Sequence, residues 1–275
     1  MSRRFIDDNV EVLAFVPPTA TDDTLYAGGH FFRNAVDGTR YTNEGDADAA
    51  IWGNWPANRY ALSETFQRAP LLNASVGVAA NLDFEILGTN AANTCSTFST
   101  GGGLTLTTTT AANDQVIVLP HLDTKQTAWS GVDWATDDRV VFETTITTGA
   151  SVTAAIVWAG LKLTNTSTVA TDDNQVFVRY QDTVNTGKFQ LVYSIAGTDT
   201  SLDTGVTVAV STDYHIRLVI DVDRKATLYI NGVEVATSAA LTTAISLIPY
   251  IGVQTTAAAA KAITVRGLKL SKDLT

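Results

Sequence analysis

At 275 residues with 45% hydrophobic content, the chain can hold one large domain with a real core plus an appendage. Its net charge of −10, without any basic run to displace counterions, excludes binding to nucleic-acid phosphates. The one cysteine, Cys95, excludes an intramolecular disulfide, no apolar run approaches a membrane span, and a charged fraction of 17% leaves the surface to Thr, Ser, Asn and Ala, as is usual for extracellular or virion β-proteins.

The chain opens with MSRRFIDDNVEV, two arginines with no apolar run behind them, so no cleaved leader is expected. Residues 1 to 70 hold ten of the 23 aromatic residues, and all six of their basic residues are arginine: Arg3, Arg4, Arg33, Arg40, Arg59 and Arg68. Aromatic rings and forked guanidinium groups are enriched in interface cores because they give much contact for little lost entropy. The segment 1–70 is therefore expected to dock, with Phe31, Phe32, Arg33, Tyr41, Trp52 and Trp55 as interface residues. Its partner is an outside protein, a sister chain or the chain's own β-domain. Within it, Asp37-Gly38 predicts a hairpin turn, Thr39 to Thr42 a short strand, Asn43-Glu44-Gly45 a second turn and Ala50-Ile51-Trp52 the returning strand.

From residue 71 onward period-two alternation dominates, and no stretch of comparable length carries apolar residues at helical spacing. Strands are expected over ANLDFEILG (80–88), DRVVFETTI (138–146), TAAIVWAGLKL (153–163), NQVFVRYQD (174–182), KFQLVYSIAG (188–197), ISLIPYIGVQT (245–255) and AITVRGLKLS (262–271). The clearest unit is DYHIRLVIDVDRKATLYINGVEV (213–235), where Asp223-Arg224-Lys225 and Asn231-Gly232 supply tight turns. GGG at 101–103 precedes LTLTTTT rather than a Lys-bearing helix, so it predicts a flexible connector and no phosphate loop. AAAAKA (257–262) is too short to hold a helix and predicts a turn or strand edge.

Two resemblances follow from these residues. Gly38, Thr39, Tyr41, Asn43, Gly45 and Trp52 match a segment, Gly-Thr-x-Tyr-x-Asn-x-Gly with a following aromatic, that resembles one recurring in structural proteins of tailed-phage virions. Residues 71–275 resemble the concanavalin A-like lectin/glucanase superfamily, which includes laminin-G-like domains, through residues 212–237 and the closing strand 262–271. The fold class expected is all-β: a two-sheet antiparallel jelly-roll sandwich preceded by the N-terminal hairpin or extended docking segment. The resemblance also implies that 80–88 pairs beside the closing strand.

The superfamily spans lectins, glycanases, adhesion modules and virion decorations, so the residues must decide function. Retaining glucanases of this kind carry Glu-x-Asp-x-Glu on one strand face. The nearest match here is Asn81-Leu82-Asp83-Phe84-Glu85, with an amide where the nucleophile would be, so no enzyme is expected. His30, His121 and His215 are scattered, and Asp172-Asp173-Asn174 and Asp221/Asp223 read as turns before calcium ligands, so neither cofactor nor metal is expected. The expectation is a non-enzymatic decoration or cement protein, assembled in the host cytoplasm and displayed on the virion surface. Its partners are the major capsid protein or another virion protein and sister subunits, a trimer being the guess, with no nucleic acid and no membrane. The alternative is a lectin-like receptor-binding module of a tail fibre, with Trp129 and Trp134 in a loop-like stretch stacking on a cell-surface glycan.

Overall fold

The structure, a computed structural model, describes residues 11–14, 31–34, 40–43, 52–55, 59–72, 83–121, 127–164 and 172–273. The chain divides into two compact units, Met1–Tyr60 with Asp273–Thr275, and Ala61–Lys272. Pro70, where the composition changes, lies inside the second of these.

In the first unit β1 (Glu11–Ala14), β2 (Phe31–Asn34), β3 (Arg40–Asn43) and β4 (Trp52–Trp55) form a four-stranded sheet in that order. β2, β3 and β4 make an antiparallel meander, Phe32 opposite Tyr41 and Asn43 opposite Trp52. β1 joins β2 in parallel. The turn residues Asp37-Gly38 and Glu44-Gly45 lie outside the described residues.

The second unit is a two-sheet sandwich. One sheet, in spatial order, runs β15 (Thr198–Thr207), β14 (Lys188–Ile195), β13 (Gln175–Gln181), β12 (Ala155–Lys162), β19 (Ile248–Thr255), β10 (Gln115–Pro120), β7 (Phe84–Leu87) and β6 (Leu71–Leu72). The other runs β18 (Val233–Ala240), β17 (Lys225–Ile230), β16 (Asp213–Ile220), β11 (Val141–Thr148), β20 (Ala262–Asp273), β9 (Leu104–Thr107) and β8 (Ser96–Phe98), with β5 (Arg59–Glu64) also on β20. All neighbouring pairs in the sandwich with a described register are antiparallel except β6 with β7.

Alternation explains the second sheet directly. In β16 Tyr214, Ile216, Leu218 and Ile220 are buried between exposed or half-buried neighbours, and β17 repeats the pattern with Ala226, Leu228 and Ile230. These side chains face the first sheet, as the edge-on contact of Tyr214 with Phe189 shows (centroids 5.0 Å apart). The turn between β17 and β18 uses Asn231 and Gly232, both at positive φ as a two-residue hairpin requires.

Three sequence expectations are corrected. The opening strand does not pair beside the closing one: β7 lies in the opposite sheet between β10 and β6, while β20 is flanked by β11, β9 and β5. Residues of β5, upstream of the expected boundary, occupy the place that 80–88 was expected to take. The glycines at 101–103 are no loose connector but the turn of the β8–β9 hairpin, where Ser99 and Gly103 are bonded and a Cβ on Gly103 would lie 2.4 Å from the Val265 carbonyl oxygen. Finally, no strand was expected over 198–207, because TDTSLDTGVT (β15) is an edge strand whose one buried side chain is Thr204, so it shows no apolar alternation.

Candidate functional site

The central strands of the first sheet are buried on both faces. β12 (AIVWAGLK) and β19 (IPYIGVQT) are buried almost throughout, and for that reason read as near-continuous apolar runs. The face turned toward the second sheet carries Val157, Ala159, Leu161, Val176, Val178, Leu191, Ile251 and Val253. The distal face carries a second cluster: Ile117, Leu119, Trp158, Phe177, Val192, Ile248 and Tyr250, with Leu87 and Ile156 beside it.

Strand register orders this distal face into rows. Ile248, Lys162, Gln175, Ser194 and Asp199 form one; Tyr250, Gly160, Phe177, Val192 and Ser201 the next; Gly252, Trp158, Arg179, Gln190 and Asp203 a third. Two glycines make room for the rings. A Cβ at Gly160 would sit 2.4 Å from the Val176 carbonyl oxygen, and its absence leaves Tyr250 and Phe177 to meet edge-on, centroids 5.9 Å apart. A Cβ at Gly252 would crowd Ile117 at 3.0 Å and Trp158 at 3.4 Å.

Polar groups interrupt this apolar floor. Lys162 is fully buried, its Nζ 3.9 Å from Asp172 Oδ2 and 5.4 Å from the Tyr250 ring centroid. Asp172 accepts hydrogen bonds from the Thr164 backbone N–H and hydroxyl, each 2.7 Å. Arg179 donates from Nε and Nη2 to Gln190 Oε1 at 3.0 and 2.7 Å. Gln175, Ser194 and Tyr250 are 2%, 1% and 0% exposed, and among the described residues the Gln175 amide and the Ser194 and Tyr250 hydroxyls have no hydrogen-bond partner.

Burial lowers the pKa of Lys162, and Asp172 opposes part of that shift. Burial pushes the Tyr250 hydroxyl well above its ordinary value, Asp172 adding to the shift and Arg179 opposing it. Native Tyr250 therefore holds its proton where the unfolded chain, titrating near 10.0, has lost it; stability from this group is full below that pH and falls as pH rises above it. Tyr250→Phe should remove this alkaline decline. Urea unfolding in a series from about pH 8 to pH 11 would check it, and an unchanged alkaline slope would show that Tyr250 does not titrate in this way.

The two tryptophans proposed for sugar stacking are corrected by their burial. Trp129, in a one-turn helix (Ala128–Gly131), is 4% exposed with its ring 5.1 Å from that of Phe84, which in turn meets Phe66 edge-on. Trp134 is 0% exposed and its indole N–H donates to the Trp129 carbonyl at 3.1 Å. An internal carbonyl satisfies the one polar atom and apolar rings take the rest, so neither indole offers a face to a glycan.

The remaining candidates fall as follows. Glu85 points from β7 to the distal face, buried, with Oε2 3.9 Å from His121 Nε2; Asn81 and Leu82 lie outside the described residues. Asn174 Oδ1 accepts the Thr242 hydroxyl, and Asp221 Oδ1 accepts the N–H groups of Asp223 and Lys225, which is turn chemistry. His30 lies outside the described residues, and His215 is exposed on β16. Phe31, Phe32, Arg33, Tyr41, Trp52 and Trp55 all fall on the adjacent strands β2, β3 and β4; their side chains lie outside what is described.

No family model and no curated protein sequence matches this chain. Solved structures do. They include a protein of unknown function from Shewanella oneidensis MR-1 (TM-score 0.54, 14% identity, covering 81% of this chain and 90% of that one). Bacillus licheniformis β-glucanase follows (0.51, 8%, 78% and 98%), as does peanut lectin (0.51, 9%, 80% and 100%). At such identities the likeness is one of fold: the chain is built on the concanavalin A-like jelly roll shared by lectins and glucanases.

Proposed function

We propose that this chain is a non-catalytic structural protein of a tailed-phage virion, a decoration or cement protein that docks on the shell through its N-terminal sheet. It is assembled in the host cytoplasm and displayed on the virion surface, in contact with the major capsid protein or another virion protein and with sister subunits. The observation that supports this reading is the first unit itself: the aromatic and arginine-rich residues fall on three adjacent strands of a separate small sheet, with Arg33 opposite Arg40 and Arg40 opposite Trp55. Burial of Trp129 and Trp134 also removes the platform on which sugar stacking depended. With Trp52→Ala and Trp55→Ala together, particle occupancy should fall to background while the sandwich keeps its far-UV signature. Normal occupancy by that double variant would rule the docking role out.

A second reading, a lectin-like receptor-binding module of a tail fibre, is favoured by the likeness of the sandwich to the fold of peanut lectin. It predicts a defined glycan signal on an array, and an array without signal would rule it out.

A further inference from the structure

Asn231-Gly232 is the one Asn-Gly pair in the chain. Both residues are exposed and both stand at positive φ, 52° and 81°, in the two-residue turn that joins β17 to β18. Asn231 is clamped to β16 at two points: its backbone N–H donates to the His215 carbonyl at 2.8 Å, and its Oδ1 accepts the His215 backbone N–H at 2.8 Å. The Gly232 N–H has no hydrogen-bond partner among the described residues, and glycine has no side chain to shield it. A free amide nitrogen therefore follows directly after a side-chain amide whose oxygen is held by a backbone donor, the arrangement that stabilises negative charge developing on that oxygen.

We propose that Asn231 is a modification site, converted by water to aspartate and isoaspartate, and that the isoaspartate unlatches the β17–β18 hairpin. The Gly232 nitrogen attacks Asn231 Cγ, so an N–Cγ bond forms and the Cγ–Nδ2 bond breaks. The proton of the Gly232 nitrogen passes to Nδ2, which leaves as ammonia. Water then opens the cyclic imide at either carbonyl: opening at Cγ restores the main chain and gives aspartate, and opening at the main-chain carbonyl gives isoaspartate. The balance is asparagine plus H2O giving aspartate or isoaspartate plus NH3, with no oxidant, reductant or cofactor. The two products act differently on the sheet. Aspartate keeps the backbone and still offers an oxygen to the His215 N–H. Isoaspartate routes the main chain through Cβ and Cγ, one atom longer, and a two-residue turn with fixed dihedrals cannot absorb the extra atom. The ladder beyond the turn starts at Ile230 opposite Val233, and β18 pairs with β17 alone among the described strands, so that ladder sets its register. This goes beyond the docking role and does not depend on it.

The test is peptide mapping of the native full chain after incubation in mildly alkaline buffer, with the same chain held unfolded in urea as the reference. The tryptic fragment 226–261, in which Asn231 is the one asparagine, should gain about 1 Da in both samples, and part of the product should accept a methyl group from an isoaspartyl methyltransferase. Asn231→Gly keeps a turn that tolerates positive φ and should abolish the gain. Amide exchange of the converted native chain should quicken over β18 while β11 and β16 keep their protection. A native fragment of unchanged mass, when the urea reference has converted, overturns the proposal; so does a gain that persists in Asn231→Gly, since it would then arise elsewhere, such as Gln254. Unchanged exchange over β18 in the converted chain overturns the unlatching. The wild-type measurement decides even if the variant fails to fold.

Discussion

Replacing Trp134 with alanine should lower the unfolding free energy by about 3–5 kcal/mol, the range for truncating a large aromatic side chain in a packed core. The ring is fully buried, and its loss leaves both a cavity and a Trp129 carbonyl without its indole donor. The damage should spread locally. Trp134 also accepts the Leu247 N–H through its backbone carbonyl, and its neighbour Ala135 bridges Ser246, so the segment ties the stretch before β11 to the one before β19. Trp134→Phe keeps most of the ring volume and removes only the N–H, so its cost should be nearer the roughly 1–3 kcal/mol of a buried acceptor left unsatisfied. Urea unfolding of both variants measures this directly. A Trp134→Ala loss below about 1 kcal/mol would mean that the ring is not packed as described and would reopen the loop to ligand binding.

That same residue shows where sequence reading ends. The strands of the second sheet were legible because one face is buried and the other wet, so alternation carries their register: Ile216, Leu218 and Ile220 point inward as read. β12 and β19 were legible as strands but not as two-sided ones. A continuous apolar run locates a buried strand without telling what lies on each face, and so Lys162, Gln175, Ser194 and Tyr250 gave no signal as a group. Their convergence depends on the pairing of β12 with both β13 and β19, strands between which residues 182–247 intervene. The one visible hint was Lys162 itself, a charge closing the run AIVWAGLK. Trp129 and Trp134 were misread because Gly, Ser and Asp around them imitate a surface loop, while burial was decided by Phe84 and Phe66, far upstream in the chain.

Asp172→Ala should be among the most destabilising polar substitutions in the protein, costing about 3–5 kcal/mol, because it removes the carboxylate that stands 3.9 Å from the buried Lys162 ammonium. The informative comparison is with the double variant Asp172→Ala, Lys162→Met. Both chains lack the Asp172 carboxylate, so the difference between them isolates the buried charge. Methionine fits the lysine's path along the apolar floor, and the double variant should recover most of the loss, about 3 kcal/mol relative to the single one. The two should also differ with pH, in a direction fixed by the depressed lysine pKa. In the single variant the unfolded chain binds a proton at Lys162 up to about 10.5 while the folded chain releases it earlier, so stability should climb as pH rises through that window. The double variant lacks the group and should show no such climb. Equal stabilities for the two chains at pH 7, with parallel pH profiles, would mean that Lys162 reaches solvent and that the distal face is open rather than closed.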